Sequence, residues 1–450
     1  MNLPNYFIAD LPREHELTAS LVTEACQTLK RNREKYLVGR ATSSIVGVLS
    51  ATAQSWLEHD NPFRKLALER GAAETGFGET TIARGLDSFF KQFTVENLNA
   101  LIAQDLGHAE RLDRFVNDRA SGTAALARGP ELLVHITAGN IPNPTILSIA
   151  LGLLTRSAQL VKCARGTSLL PRLFAHSIYE VEPKLASCLE VVEWPGGTQA
   201  LEDALFAETD CVTATGSDET LDAIRRRVPA HVRFLGYGHR LSFGYIATEA
   251  LARFELKKTL LQAASDVVAW NQLGCLSPHL FYIEHGGVVS AERFSEMLAA
   301  QLAELESEEP RGQLPAAEAA VIAGKRSLYE VRAAASNATK LWKSEGSTAW
   351  TVIYEADPQF QLSCLNRFVY VKPVVDLTAA LRQAETVRGK VSTVGLAAAG
   401  DKAQQFATQL ARWGITRVCP LGKMQNPPLT WRHDGRPVLG DLVTWTDYES

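Results

Sequence analysis

The sequence predicts an α/β protein with doubly wound parallel sheets. From Glu131 onward, short apolar runs alternate with Gly/Pro/Asn turns and helical stretches, which is typical of βα units. A second series of the same kind begins after Val267. Between Glu16 and Ala120 the chain instead carries long polar and apolar periodic segments with few prolines, which predict helices. We therefore expect a helical N-terminal region followed by two α/β regions.

The predicted elements follow one another regularly in both α/β regions. In the first region we expect strands at 132–136, 159–162, 189–193 and 211–214, and helices at 143–154, 170–182 and 218–227. In the second we expect strands at 280–283, 350–354, 368–371, 394–397 and 416–419, helices at 291–308 and 401–413, and an exposed loop at 306–315. A doubly wound sheet binds its ligand where strand carboxyl ends meet helix N-termini.

The amino-acid composition narrows the classes of molecule that this protein is expected to bind. The 450 residues carry 46 Lys and Arg against 50 Asp and Glu, a formal charge of −4, and 46% of them are hydrophobic. Basic residues are spread along the chain, whereas a nucleic-acid-binding protein concentrates them on one face. We therefore expect a small-molecule substrate and no nucleic acid.

The cysteines and the N-terminus indicate a reducing compartment. The seven cysteines are scattered without a CxxC pair, and no HExxH or Cys/His spacing suits a metal, so we expect neither disulfides nor zinc. No signal peptide is apparent, and the longest apolar run, 144–154, is stopped by Arg156 before it could span a membrane. These observations predict a cytoplasmic protein without a membrane span.

Cys275 is the candidate nucleophile. It follows Gly274 and precedes Ser277-Pro278 in a turn between two apolar segments. A helix starting there would direct backbone N–H groups at the sulfur and favour the thiolate. The alternative interpretation is a small buried thiol, which is the commoner state of an unpaired cysteine.

Two strand-to-helix turns are candidates for binding an anion or an oxyanion. Asn140, in Gly139-Asn140-Ile141-Pro142, could donate to a developing oxyanion, although helix capping explains such an Asn equally well. Thr215-Gly216-Ser217 precedes a predicted helix whose N-terminus could seat a phosphate, a pattern that is common and weak by itself.

Taken in order, these motifs resemble the aldehyde dehydrogenase superfamily and, within it, the LuxC-like acyl-CoA reductases. The resemblance covers about Glu131 to the C-terminus. It implies that Cys275 is the nucleophile, that Asn140 lines the oxyanion hole, that Lys162 reaches the adenosine ribose and that Thr215-Gly216-Ser217 lies by the pyrophosphate. The stretches 417–422 and 431–437 are similar to the acyl-CoA reductase subgroup specifically.

The resemblance implies an aldehyde dehydrogenase-like fold, with a Rossmann-type cofactor domain and an α/β catalytic domain. We expect residues 1–120 to pack on the cofactor domain, residues 121–245 to bind NADP and residues 246–425 to carry catalysis. Residues 426–450 would form a tail that either supports oligomerisation or returns to the cofactor domain.

Departures from the superfamily pattern point to acyl reduction. Hydrolytic members carry a Glu that activates water, whereas the matching stretch here, 234–240, includes Gly236 and His239, and no acid occurs between His231 and Thr248. A thioester on Cys275 should therefore persist until a hydride or another nucleophile takes it. His239 is a candidate proton carrier, with a structural histidine as the alternative.

The cofactor positions also differ from those of NAD-preferring relatives. Arg165 occupies the place of a ribose-binding Glu, and a guanidinium there would favour the 2′-phosphate of NADPH, unless Arg165 is simply a solvated surface residue. The Glu-x-Phe clasp on the nicotinamide ribose becomes Asn366-Arg367-Phe368, so only Phe368 matches.

We therefore expect an oligomeric, NADPH-dependent reductase that converts an acyl thioester to an aldehyde. Two alternatives stay open. The chain could transfer the acyl group without net reduction or oxidise an aldehyde to a thioester, or it could be a non-catalytic scaffold for an acyl-activating partner enzyme.

Overall fold

The computed structural model describes residues 3–12, 14–118, 122–139 and 141–449. The chain divides into two compact units. The first unit comprises Met1–Thr75, Leu86–Gly238 and Pro428–Ser450, and the second comprises Gly76–Gly85 and His239–Pro427. The predicted boundary at 245 therefore differs from the structural one, because the strand Leu241–Ile246 pairs within the sheet of the second unit.

Five helices lie in the N-terminal part of the chain, which the periodicity predicts to be helical. They are α1 (Ala19–Tyr36), α2 (Thr42–Leu57), α3 (Pro62–Thr75), α4 (Glu79–Phe90) and α5 (Val95–Leu106). The side chains of Thr18 and Thr94 cap α1 and α5 by accepting from backbone N–H groups. Val22 and Leu29 of α1 pack into the same hydrophobic cluster as the central strands of the first unit. This helix therefore covers one face of the sheet.

The main sheet of the first unit has five parallel strands in the order β5-β4-β3-β6-β7. The strands are β3 (Leu132–Ile136), β4 (Ala158–Cys163), β5 (Leu189–Glu193), β6 (Cys211–Thr215) and β7 (Arg233–Tyr237). The intervening helices are α6 (Asn143–Leu154), α7 (Leu169–Val181), α8 (Pro183–Ala186), α9 (Gln199–Ala207) and α10 (Asp218–Arg225). The strand order reverses between β3 and β6, so the prediction of a doubly wound sheet is confirmed.

A small antiparallel sheet joins distant parts of the first unit. Its order is β1-β2-β15, with β1 (Val116–Asn117), β2 (Ala124–Arg128) and β15 (Thr444–Tyr448). β15 pairs with β2 along its whole length, from Thr444 opposite Arg128 to Tyr448 opposite Ala124. The C-terminal segment thus returns to the first unit.

The second unit is built on a seven-stranded sheet in the order β10-β11-β12-β9-β8-β13-β14. The strands are β8 (Leu241–Ile246), β9 (Pro278–Glu284), β10 (Thr339–Lys343), β11 (Thr351–Glu355), β12 (Phe368–Val374), β13 (Val391–Ala397) and β14 (Arg417–Pro420). All neighbours are parallel except β10 and β11. The helices are α11 (Leu256–Val268), α12 (Ala291–Glu308), α13 (Ala316–Ala335), α14 (Leu377–Gln383) and α15 (Gly400–Trp413).

Alternate side chains of these strands enter two hydrophobic clusters, one on each face of the sheet. Tyr245 and Tyr282 belong to one cluster, and their neighbours Ile246 and Phe281 belong to the other. Short 3-10 helices lie at Ile8–Asp10, Thr248–Leu251, Ala269–Gln272, Glu385–Val387, His433–Gly435 and Gly440–Leu442. Within the described part of the chain, no helix is both long and apolar enough to cross a membrane.

Candidate active site

The predicted cofactor residues of the first unit lie at the carboxyl edge of the five-stranded sheet or just beyond it. The backbone N–H of Thr137, just beyond β3, donates to the Lys162 carbonyl of β4 at 3.1 Å. Thr215 at the end of β6 pairs with Tyr237 at the end of β7. These strands flank the point where the strand order reverses, which is where doubly wound sheets hold their ligands. Asn140, the predicted oxyanion donor, follows β3 but lies outside the described residues.

Lys162 and Arg165 lie at the end of β4 and differ in exposure. The Lys162 side chain is buried, and this burial lowers its pKa, while the charges of Glu202, Cys163 and Glu193 act in the opposite direction. Arg165 is exposed, and its guanidinium has no hydrogen bond or ion pair with any described residue. The next residue, Gly166, donates its backbone N–H to Glu193 at 2.7 Å. This hydrogen bond fixes the loop that carries Arg165.

The Thr215-Gly216-Ser217 turn leads directly into α10, as the sequence predicts. Ser217 is the N-cap residue, and its hydroxyl accepts from the Thr220 backbone N–H at 3.3 Å. A Cβ at Gly216 would lie 3.3 Å from the Thr220 side chain, so the turn leaves little room for a larger residue there. Asp218 and Glu219 occupy the first turn of α10. The helix dipole stabilises acidic side chains there, but their negative charges would repel a bound phosphate.

A stack of side chains covers the end of β7. The Arg436 guanidinium lies over the Tyr237 ring at 4.5 Å, and the His433 ring stacks against Tyr237 at 4.5 Å between centroids. Arg436 also donates to the Gly236 carbonyl at 3.1 Å. Burial raises the pKa of Tyr237 to about 12. The sequence marked 431–437 as a subgroup motif without assigning it a role, and the structure places it against this strand end.

Cys275 is exposed, in contrast to most of the cysteines. It lies in a turn closed by the Ser277 backbone N–H, which donates to the Gly274 carbonyl at 2.9 Å. The Ser242 hydroxyl on β8 donates to the Cys275 carbonyl at 2.8 Å and holds this turn to the sheet. The expectation that a helix starts at Cys275 is wrong, because the chain enters β9 at Pro278. The turn itself therefore provides no helix N-terminus at this sulfur.

Arg417 on β14 is a buried arginine of the same unit as Cys275. Burial lowers the pKa of Arg417, and Coulomb interactions with Cys419, Asp266 and Cys275 act in the opposite direction. The guanidinium is held in place by two backbone carbonyls, since it donates to Met424 at 2.6 Å and to Lys423 at 2.8 Å. The sequence quoted Arg417 within a subgroup motif, but nothing in its spacing indicated an electrostatic link to Cys275.

The segment before Cys275 adopts an uncommon backbone conformation. Trp270, Asn271 and Gln272 have φ angles of 50, 51 and 66°, the left-handed region that non-glycine residues rarely occupy. The Gln272 side chain donates to the Pro278 carbonyl at 2.7 Å and to the Phe368 carbonyl at 3.0 Å. These bonds tie both ends of the Cys275 turn to β12.

A buried arginine braces the same segment. Arg367 donates to Asn271 Oδ1 at 3.1 Å, to Glu306 Oε2 at 2.7 Å and to the Glu309 carbonyl at 2.8 Å. Its own backbone is also left-handed, with φ of 63°. Asn271 Nδ2 in turn donates to the Arg311 carbonyl at 2.7 Å. Two strained turns, one before Cys275 and one before β12, are therefore held by one hydrogen-bonded network.

The two remaining predicted residues of the second unit lie in different surroundings. His239 is exposed before β8, and its charge lowers the pKa of buried His279, although burial is the larger cause of that shift to about 4. The Phe368 ring is fully buried and packs with Tyr329 and Tyr370. A ring in that position faces the core of its own unit rather than a ligand. Asn366, at the position of the missing Glu, donates to Glu318 at 3.0 Å.

Candidate metal ligands do not cluster. Among the residues that the structure describes, no group of three or more His, Cys, Asp or Glu side chains is placed to hold a metal ion.

A comparison with known families matches most of the chain. Residues 39–445 match the family described as "Acyl-CoA reductase (LuxC)". The chain belongs to this LuxC family. Among its LuxC relatives, a long-chain acyl-protein thioester reductase of Aliivibrio fischeri is 23% identical over 451 residues, covering 98% of this chain and 88% of the relative. A long-chain acyl-protein thioester reductase 2 of Photobacterium leiognathi is 23% identical over 353 residues, covering 78% of this chain and 70% of the relative.

Solved structures confirm the aldehyde dehydrogenase-like fold of this LuxC family member. An NAD-dependent benzaldehyde dehydrogenase from Corynebacterium glutamicum superposes with a TM-score of 0.71 at 14% identity, covering 97% of this chain and 91% of the other. A Delta-pyrroline-5-carboxylate dehydrogenase from Mycobacterium tuberculosis gives a TM-score of 0.69 at 14% identity, covering 96% of this chain and 82% of the other.

Proposed function

We propose that this protein reduces a long-chain acyl thioester to an aldehyde with NADPH, through an acyl group bound covalently to Cys275. The observation that carries the proposal is an exposed cysteine on a turn that buried hydrogen bonds hold in place. We propose that the charge of Arg417, whose guanidinium is held by two backbone carbonyls, favours the Cys275 thiolate, which is the nucleophilic form. The family description and the names of the relatives support an acyl thioester as substrate.

The chemistry proceeds in two stages. The Cys275 thiolate attacks the thioester carbonyl, and collapse of the tetrahedral intermediate expels the donor thiol and leaves an acyl-enzyme. The backbone N–H of Cys275 and the Asn140 amide donate to the oxyanion. Hydride addition to the acyl-enzyme then forms a thiohemiacetal on Cys275, which breaks its C–S bond to release the aldehyde and restore the thiolate. His239 is our candidate for supplying and accepting protons.

NADPH supplies the hydride when it is bound. The residues at the sheet edge fit this cofactor, because Arg165 presents a guanidinium that no described residue neutralises. We propose that Arg165 pairs with the 2′-phosphate, that Lys162 binds the adenosine ribose and that Thr215, Gly216 and Ser217 lie along the pyrophosphate. Gly236, which has no side chain, would leave room for the cofactor beside these residues. We no longer include Phe368, because its ring is buried in the core.

The absence of an acidic residue between His231 and Thr248 supports reduction over hydrolysis. No carboxylate in that stretch can activate water against the acyl-enzyme. We also propose that the enzyme works in the cytoplasm, where its exposed thiol stays reduced, and that it forms homo-oligomers and receives acyl groups from CoA, a carrier protein or an acyl-activating partner enzyme.

The decisive experiment follows radiolabelled acyl-CoA and NADPH together. We expect a protein-bound label without NADPH, and stoichiometric NADPH oxidation with trapped aldehyde when NADPH is present. Cys275→Ser should abolish both, whereas Cys364→Ser, which alters a half-buried thiol of the same unit, should retain them. Asn140→Ala should slow the reaction by about 100-fold to 1000-fold. Labelling without NADPH oxidation would favour acyl transfer, and no Cys275-dependent labelling would favour a scaffold.

Cofactor choice is tested separately at Arg165. Arg165→Glu should lower kcat/KM for NADPH and raise the preference for NADH, because a carboxylate repels the 2′-phosphate and accepts from a ribose hydroxyl. Arg31→Glu, on the exposed surface of α1, is the matched control and should leave the ratio unchanged. An unchanged ratio in the Arg165 variant would remove the 2′-phosphate role.

A further inference from the structure

Helix α13 of the second unit exposes a second apolar face. One face of this helix is buried through Ile322, Arg326 and Tyr329. The other presents Val321, Leu328 and Val331 to solvent with relative exposures of 53, 55 and 69%. Isolated exposed apolar residues are ordinary on a protein surface. Three of them on one helix face form an apolar surface that is suited to a partner.

The exposed residues follow the spacing of a coiled-coil seam. Successive members are four, three, four, three and four positions apart, which keeps them on one side of a helix. The seam consists of Ala317, Val321, Gly324, Leu328, Val331 and Ala335, all of which are exposed.

This seam has the same spacing when it is read in either direction. In an antiparallel pair centred on residue 326, Ala317 of one copy lies opposite Ala335 of the other, and Val321 opposite Val331. Gly324 lies opposite Leu328, so the smallest residue of the seam leaves space for the largest. A two-fold symmetric interface requires this self-complementarity.

Charges beside the seam agree with the antiparallel arrangement. The flanking positions on one side hold Glu318, Lys325 and Arg332, so Glu318 of each copy faces Arg332 of the other. Both side chains are exposed, although Asn366 already donates to Glu318 and Arg332 pairs with Glu355. Lys325 lies near the two-fold axis, where its long side chain can turn its ammonium group to solvent.

The other flank permits close approach of the two helices. It carries only small residues, Ala320, Ser327 and Ala334, and all three are exposed. Of these, Ser327 lies beside the two-fold axis and faces Ser327 of the other copy, whereas Ala334 of one copy faces Ala320 of the other. From this symmetry of apolar, charged and small residues, we propose that α13 binds α13 of a second copy of this chain in an antiparallel pair.

The first test measures the mass of the full chain by sedimentation over a range of concentrations. We expect a dimer in the wild type, and at least about 100-fold weaker dimerisation in Leu328→Glu, because the seam would bury an unpaired carboxylate. Val375→Glu places the same group at a valine that is 68% exposed elsewhere in the unit, and should leave the dimer intact. A monomeric wild type, or a dimer that Leu328→Glu does not weaken, would overturn the proposal.

The second test fixes the register by oxidative cross-linking. Ser327→Cys should cross-link readily to the same position in the second copy. Ala334→Cys should not cross-link beyond the wild-type background, because two copies of position 334 would lie about 20 Å apart along the helix pair. Equal cross-linking of the two variants, or none in either, would refute the antiparallel pairing centred on residue 326.

Discussion

Replacing Arg367 with methionine should destabilise the second unit severely. The guanidinium is only 1% exposed, and it donates to the amide oxygen of Asn271 and, at the end of α12, to the Glu306 carboxylate and the Glu309 carbonyl, so it joins two separate segments. Methionine fills much of the same volume but donates nothing. The substitution therefore isolates the hydrogen bonds from the packing.

The expected cost is worked from the groups left behind. Asn271 Oδ1 and the Glu309 carbonyl each lose a buried donor, at about 1–3 kcal/mol apiece. Glu306 is 25% exposed and regains part of its solvation from water, so its loss is smaller. The sum is about 3–5 kcal/mol, in the range found when one partner of a buried ion pair is removed.

Thermal unfolding measures this effect. The second unit contains nearly 200 residues, for which 3–5 kcal/mol corresponds to a fall in Tm of roughly 10 °C. Arg293→Met is the matched control, because that arginine is 57% exposed and pairs with Glu296 on the surface of α12, so its loss should cost less than about 1 kcal/mol. If Arg367→Met lowers Tm no more than Arg293→Met does, the buried network does not brace the unit.

Two further predictions concern a buried histidine and a glycine that packs against a buried tryptophan ring. Burial lowers the pKa of His135 to about 4, so the folded state holds it neutral and loses about 3 kcal/mol of stability as pH falls from about 6.5 to 4. His135→Gln should flatten the acid limb of Tm against pH, and an unchanged limb would contradict this assignment. Gly85→Ala should lower Tm and activity together, because its Cβ would lie 2.0 Å from the buried Trp270 ring, whereas Gly47→Ala, with nothing within 4 Å, should be neutral or stabilising. Equal Tm values for the two alanine variants would refute the steric argument.

The sequence predicted the parallel strands well because each is a short apolar run bounded by turn residues. β3 (Leu132–Ile136) and α12 (Ala291–Glu308) begin and end at the predicted residues. Helix α13 escaped prediction for a physical reason. Its apolar residues lie on a buried face and on an exposed face, so the one-sided periodicity that identifies a surface helix is weak.

The chemistry around Cys275 was only partly predictable. The Asn-Gln-x-x-Cys spacing identified the turn itself, whereas the bond from Arg367 to Asn271 joins residues 96 positions apart. The pairing of Arg417 with Cys275 depends equally on the folded sheet. Local sequence carries turn chemistry, but it carries no information on which distant side chain completes a hydrogen bond or an electrostatic pair.

The return of β15 to β2 has a consequence for synthesis on the ribosome. β2 and β15 pair although more than 300 residues separate them in the sequence. Arg233 also donates to the Leu442 and Val443 carbonyls at 2.7 and 2.8 Å. After Gly238 has been translated, the ribosome needs roughly 10–40 s more to reach Leu442, Val443 and β15. The first unit must therefore wait with an unpaired strand edge while nearly all of the second unit is translated. A chaperone that shields β2 during that interval should raise the yield of native protein.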